Sequence, residues 1–181
     1  YRIPITIYNP FEEYMVTPLG ASKMKFYPES GNLVAGFKNK VLLRYANGIG
    51  EGIDFKGRIV DSEGTTLTSI ESKDGMAKFY FSPLANMQYR MIYEDSSRNF
   101  NFIDLPMACQ ACASISLTEF SQRFVLKVND NMRHEKIGML KIRDRYKIYF
   151  EDYVEVGQSL NMDKKSMPEG LLRVEYFDAQ G

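Results

Sequence analysis

The chain has 181 residues, 44% of them hydrophobic and 25% charged, a balance that folds and excludes a disordered class. Lys and Arg number 23 and Asp and Glu also number 23, which removes any global electrostatic case for nucleic acid or an anionic membrane and leaves only a local patch open. No stretch reaches the roughly 20 apolar residues of a membrane-spanning helix, and twelve Phe and twelve Tyr without a Trp, set mostly in alternating runs, favour sheet over helix.

In chain order, Tyr1-Arg2-Ile3-Pro4-Ile5-Thr6-Ile7-Tyr8 places Ile3, Ile5 and Ile7 on one face of an extended segment and Pro4 on the other. That suits an edge strand or linker, so residues 1–20 read as a connector from a preceding unit. From Ser22 short alternating runs predict strands near Lys23–Tyr27, Lys40–Ala46, Ile53–Val60, Thr65–Ile70, Met76–Ser82, Met87–Glu94 and Arg98–Leu105. Seven such strands are the count of an immunoglobulin-like sandwich, assigned to residues 21–105. Parity predicts inward faces of Val41, Leu43 and Tyr45; Ile53, Phe55 and Ile59; Phe79 and Phe81; Tyr89, Met91 and Tyr93; and Phe100 and Phe102.

The punctuation of this region is structural. Asp61-Ser62-Glu63-Gly64 reads as a hairpin turn with Gly64 free to take a positive φ, and Gly31, Gly36 and Pro83 read as turn residues at the ends of the Phe26–Pro83 stretch. Tyr89, just after a turn at Pro83-Leu84-Ala85-Asn86, falls where sandwich domains place a corner tyrosine whose hydroxyl bonds upstream backbone.

After Asp104-Leu105-Pro106 a second series begins, with strands near Ala113–Glu119, Arg123–Asn129, Lys136–Ile142, Arg145–Phe150, Gln158–Met162 and Leu171–Phe177. Leu172, Val174 and Tyr176 share a face, and Met167-Pro168-Glu169-Gly170 supplies a turn before the last run, with Gly170 as its glycine. Residues 106–181 thus read as a second β-sandwich that lacks a C-terminal edge. Asp178-Ala179-Gln180-Gly181 is a turn sequence leading toward a further strand, the expectation for a piece of a longer protein.

These phrases resemble the macroglobulin-like (alpha-2-macroglobulin MG-type) β-sandwich domains of Bacteroidetes cell-envelope and TonB-dependent outer-membrane proteins. Phe26-Tyr27-Pro28-Glu29-Ser30-Gly31-Asn32-Leu33-Val34-Ala35-Gly36 is similar to that family's Phe-Phe-Pro-Glu-Gly-Gly-x-Leu-Val-x-Gly. Gly57-Arg58-Ile59-Val60-Asp61-Ser62-Glu63-Gly64 resembles its hairpin, and Gly75-Met76-Ala77-Lys78-Phe79 its Gly-Met-Gly-x-Phe. Met167-Pro168-Glu169-Gly170-Leu171 through Phe177-Asp178-Ala179-Gln180-Gly181 resembles a later element. The resemblance implies a periplasmic or cell-surface module in an outer-membrane-associated protein. The family's Cys-Gly-Glu-Gln thioester is not matched by Cys109-Gln110-Ala111-Cys112, so protease trapping is not carried over.

Cys109-x-x-Cys112 is the one constellation that could carry chemistry. Zinc needs further ligands, and the chain offers one His, His134, and no second Cys pair. Thiol catalysis needs the pair at a helix start, and Ala113-Ser114-Ile115-Ser116-Leu117 reads as strand. The readings left open are a disulfide, which requires the backbone to turn, and two unpaired, partly buried thiols. The carboxylate pairs Glu12-Glu13 and Glu151-Asp152 read as solvated surface, and the cations of Arg133-His134-Glu135-Lys136 and Lys141 to Lys147 as charges fanning from a hairpin turn at Arg143-Asp144. The expected function is non-catalytic, with no catalytic, cofactor or metal residues. The chain is expected to space or dock flanking domains of the same polypeptide, and other envelope proteins through strand edges, without nucleic acid and without inserting in a membrane. The alternatives are an accessory region of a TonB-dependent transporter or a piece of a protease-trapping macroglobulin, and carbohydrate binding would need aromatics exposed on one face.

Overall fold

Alternation of apolar and polar side chains along short runs, broken by Gly, Asn and Asp, sets the architecture. The structure, a computed structural model, describes residues 22–95, 98–131 and 137–177. Expectations for residues 1–20, for Arg133-His134-Glu135-Lys136 and for Asp178–Gly181 lie outside the described residues. The described chain is all-β apart from one 3-10 turn at Lys164–Ser166, and it divides into two compact units after Cys109.

The first unit holds strands β1 (Lys23–Pro28), β2 (Asn39–Ala46), β3 (Lys56–Val60), β4 (Thr66–Glu71), β5 (Met76–Phe81), β6 (Arg90–Glu94) and β7 (Phe100–Asp104). They form two antiparallel sheets, ordered β1-β2-β5 and β4-β3-β6-β7. Strand β2 shows the period most plainly, with Asn39, Val41, Leu43 and Tyr45 buried and Lys40, Leu42 and Arg44 turned outward. Strand β5 repeats it, burying Ala77, Phe79 and Phe81 beneath Met76, Lys78 and Tyr80. Both sheets contribute to one core, which includes Leu43, Phe79, Ile59, Met91 and Leu105. Burial of each such side chain is worth about 1.5–3 kcal/mol. Tyr45, Phe55 and Tyr93 pack edge to face with centroids 5.5–6.1 Å apart, the arrangement aromatic quadrupoles favour. Residues 106–109 stay with this unit, because Cys109 donates its N–H to Leu33 O at 2.7 Å and accepts from Ala35 N at 3.0 Å.

The parity expectation for the last strand is corrected. Phe100 and Phe102 are 78% and 66% exposed, and Ile103 and Leu105 turn inward instead. Ile103 sits directly across from Met91, which is fully buried, and directly opposed residues share a face. The two phenylalanines therefore stand on the outer side, where the Arg90 guanidinium lies 4.6 Å from the Phe102 ring and bonds Asp104 at 2.7 Å.

The second unit contains β8 (Ala113–Glu119), β9 (Arg123–Asp130), β10 (Ile137–Arg143), β11 (Ile148–Glu155), β12 (Ser159–Asp163) and β13 (Arg173–Phe177). Its antiparallel sheets run β8-β9-β12 and β11-β10-β13 around Phe124, Leu126, Val128, Leu140, Ile142, Val154 and Met162. Leu172, Val174 and Tyr176 are partly buried against that core. The order repeats that of the first unit, and among the described residues no strand holds at β13 the place that β7 holds beside β6. The 3-10 turn after β12 starts at Asp163, whose carboxylate accepts the Lys165 N–H at 2.9 Å.

Candidate binding surface

The same alternation that buries one side of β1, β2 and β5 decides what the other side offers. Cross-strand register lines up Lys25, Arg44 and Met76 in one row and Tyr27, Leu42 and Lys78 in the next. Lys40 and Tyr80 are paired in a third. Lys23 extends the array at the start of β1, facing Ala46. Neighbouring rows lie about 7 Å apart and neighbouring strands about 4.8 Å apart, so these side chains form a close grid on one side of the sheet. Lys38, just before β2, reaches over it, with its ammonium 5.0 Å from the Tyr80 ring.

The face is therefore cationic and amphipathic at once. Lys23, Lys25, Lys38, Lys40, Arg44 and Lys78 share it, and Glu29 at its margin is ion-paired with Lys40. Arg44 commits one guanidinium nitrogen to Gly50 O at 2.9 Å. Between the charges stand Leu42, 45% exposed, and Met76, 51% exposed, with the two tyrosine rings partly uncovered. A shallow cleft of about 270 Å³ opens at one end, lined by Lys23, Lys25, Tyr27, Arg44 and the turn that follows β2.

The residues singled out by sequence serve the frame. Tyr89 is 4% exposed, packs edge to face on Phe81 at 5.3 Å, and its hydroxyl accepts the Leu84 N–H at 2.8 Å, the geometry of a tyrosine corner. Replacing it with Phe leaves that N–H without its acceptor in a part-buried turn. We expect Tyr89→Phe to lower stability by about 1–2 kcal/mol, measured from the urea midpoint, with the circular-dichroism spectrum unchanged. Gly31, Gly36, Gly64 and Gly170 all have positive φ. At Gly64 the reason is local: Asp61 accepts N–H groups from Glu63 and Thr65 on its carboxylate and from Gly64 on its carbonyl, a turn that requires φ near +84° at that glycine. Pro83 is fully buried, and its carbonyl accepts the Gly36 N–H at 2.8 Å, which joins the two ends of the Phe26–Pro83 stretch. Cys109 and Cys112 are disulfide-bonded to each other. The bend at Gln110 and Ala111 supplies the turn that a straight strand would deny them.

In the other cation-rich stretch Lys141 and Arg143 are held in ion pairs, while Arg145 and Lys147 lie over the Tyr146 and Tyr149 rings. Lys141 pairs with Glu151 at 2.8 Å, and Arg143 grips Glu175 with two bonds of 2.8 and 3.1 Å. Those bonds hold the Glu175 carboxyl below the ordinary carboxylate range. The hairpin tip is Asp144 to Lys147, where Asp144 takes the Tyr149 hydroxyl and the N–H groups of Tyr146 and Lys147, and these keep its carboxyl low as well. Among the described residues no group of three His, Cys, Asp or Glu side chains is arranged to hold a metal ion.

The fold defines an immunoglobulin-like, antiparallel β-sandwich protein. No protein-family model matches the chain and no curated protein matches it. Among solved structures it is similar to trypsin-activated alpha-2-macroglobulin from Escherichia coli, with a TM-score of 0.37 and 10% identity; the likeness covers 92% of this chain and 14% of that one.

Proposed function

We propose that this chain is a non-catalytic docking module of a larger cell-envelope protein, and that it docks through the outer face of β1, β2 and β5. One observation carries the docking reading: the cations of three neighbouring strands are collected on one face together with exposed Tyr, Leu and Met side chains. A face built only for solubility mixes both signs of charge and keeps apolar groups apart. The opposite sheet pairs its charges across strands, Lys56 with Glu71 and Arg90 with Asp104, while it also exposes Phe100 and Phe102. The envelope setting is supported by the Phe26–Gly36 and Gly75–Phe79 phrases and by the Cys109–Cys112 disulfide, since such bonds persist in oxidising compartments.

The test is retention on an immobilised anionic polymer, dextran sulfate. The wild-type chain is expected to be retained, and Lys23→Glu/Lys78→Glu to elute at clearly lower salt. Lys56→Glu/Arg58→Glu makes the same change in net charge on β3 of the opposite sheet and is expected to elute close to wild type. Equal shifts for the two double variants would show that net charge alone governs retention and would remove the face from consideration.

A further inference from the structure

We infer that the partner of this face is the anionic lipid surface of a membrane, to which the sandwich binds peripherally, flat on β1, β2 and β5. The inference rests on the docking reading above and gives that face its ligand. Three features select lipid over a soluble polyanion.

The first is the shared side. Lys23, Lys25, Arg44 and Lys78 project from the same side of three adjacent strands as Lys40, which is held to Glu29, so their charges act on one surface together. Near an anionic leaflet each basic side chain adds a similar increment of attraction, whereas a flexible polymer must first be ordered to meet the same array.

The second is the apolar content. Leu42 occupies the central position of the grid and Met76 a neighbouring row, both about half exposed, with Tyr27 and Tyr80 flanking them. Aliphatic tips gain from entering the headgroup boundary, tyrosine rings favour that level, and lysine stems lie along apolar surface while their ammonium groups reach the phosphates. An acidic polymer in water offers Leu42 and Met76 no such gain.

The third is the chemistry of the cations. All but Arg44 are lysines, point charges without the planar fork that reads carboxylate pairs or base edges, and Arg44 already donates to Gly50 O. Lys38 covers the Tyr80 ring, which takes away a platform on which a base could stack. What is left is attraction to negative charge in a plane, combined with shallow apolar contact. Two weak signals of that kind give reversible, salt-sensitive membrane attachment.

The experiment is co-sedimentation of the chain with large vesicles of phosphatidylcholine alone and of phosphatidylcholine with about 30% phosphatidylglycerol, at low and high salt. The expected result is binding to the anionic vesicles only, reversed by salt. Lys23→Glu/Lys78→Glu should weaken partitioning by about tenfold or more, since it removes two attractions and adds two repulsions. Leu42→Ser/Met76→Ser keeps every charge and should still weaken partitioning several-fold, a loss that a purely electrostatic polymer site would not show. Circular dichroism of each variant establishes that the fold is kept. If the chain ignores anionic vesicles yet is held by dextran sulfate through Lys23 and Lys78, the lipid assignment is overturned and the docking face stands. Failure with both probes overturns the docking reading as well. Tighter binding to a single-stranded oligonucleotide or to hyaluronate than to the vesicles would reassign the face to a polymer and end the lipid assignment.

Discussion

Asn39→Leu is expected to destabilise the first sandwich by about 3–5 kcal/mol, read from urea unfolding followed by circular dichroism. Asn39 is 6% exposed at the start of β2, among the inward residues of that strand. Its amide oxygen accepts the Val34 N–H at 2.8 Å, and its amide nitrogen donates to Val34 O at 2.9 Å and to Phe37 O at 2.8 Å. The need for it comes from the neighbouring bridge. Leu33 O and Ala35 N are bonded to Cys109, and alternation of backbone direction turns the Val34 N–H and C=O to the other side, into the core, with no strand to receive them. One side chain with a donor and an acceptor closes both. Leucine fills the volume and leaves those two groups and Phe37 O without this partner, which is why the loss exceeds that of a surface hydrogen bond.

Asn39→Asp separates shape from hydrogen bonding. The carboxylate keeps an acceptor for the Val34 N–H but faces Val34 O and Phe37 O with no donor, so at neutral pH the variant is expected to be at least as unstable as Asn39→Leu. The native site then prefers the protonated acid, which raises the folded pKa above the unfolded value near 3.9. Destabilisation is therefore expected to shrink as pH falls through the raised folded value and to be full above it. A denaturation midpoint for Asn39→Asp that does not rise relative to wild type on mild acidification would contradict this account.

Much of the frame is legible in the residues. Val41, Leu43 and Tyr45, then Phe79 and Phe81, stand at alternate positions in runs bounded by turn residues, and the structure buries them together. The misreading of Phe100 and Phe102 shows the limit of parity. Two aromatics in a short strand imply an inward face, but the register to β6 chooses Ile103, because Met91 across from it is already inside. Register is a long-range property, and within Arg98–Leu105 both parities carry apolar residues. The disulfide was equally undecidable from spacing, since it turns on whether Gln110 and Ala111 bend.

The basic face was hidden for a different reason. Its cations lie in three separated runs, Lys23-x-Lys25, Lys38-x-Lys40-x-x-x-Arg44 and Lys78, and β5 joins β1 and β2 only through the crossover that places β3 and β4 in the other sheet. The balanced total of 23 cations and 23 acids conceals this segregation. The outward parity of β1, β2 and β5 was a usable signal, since each outward set carries Lys or Arg with Tyr, Leu or Met. By contrast, the contiguous run from Lys141 to Lys147 looks more basic in sequence, yet Glu151 and Glu175, brought to it from β11 and β13, pair with Lys141 and Arg143.

Gly75→Ala is expected to cost about 3–5 kcal/mol, comparable to the loss at Asn39 and arising from backbone packing alone. Gly75 has φ +70°, and a Cβ built there would lie 2.2 Å from Tyr45 O, 2.6 Å from the Gly52 Cα and 2.7 Å from Ile53 N. None of those atoms belongs to a side chain that could swing away. They are fixed by their own hydrogen bonds: Tyr45 N to Gly75 O at 2.7 Å, Ile53 N to Tyr45 O at 3.0 Å, and Gly75 N to the Asp54 carboxylate at 3.0 Å. Three chain segments thus meet main chain to main chain beside the end of β2, and Gly52 is the second glycine that permits it, since a Cβ there would fall 2.0 Å from Asp74 O. Relief would require β5 to withdraw from β2, breaking the bond between Tyr45 N and Gly75 O and uncovering Tyr45 in the core. Gly52→Ala should therefore be destabilising by a similar amount. The double variant should cost less than the two single losses together, because the first substitution already forces apart the segments that the second would strain. Urea midpoints for the two single variants and the double variant measure this directly; strict additivity, or a loss at Gly75 below about 1 kcal/mol, would show that the close approach is not what demands glycine there.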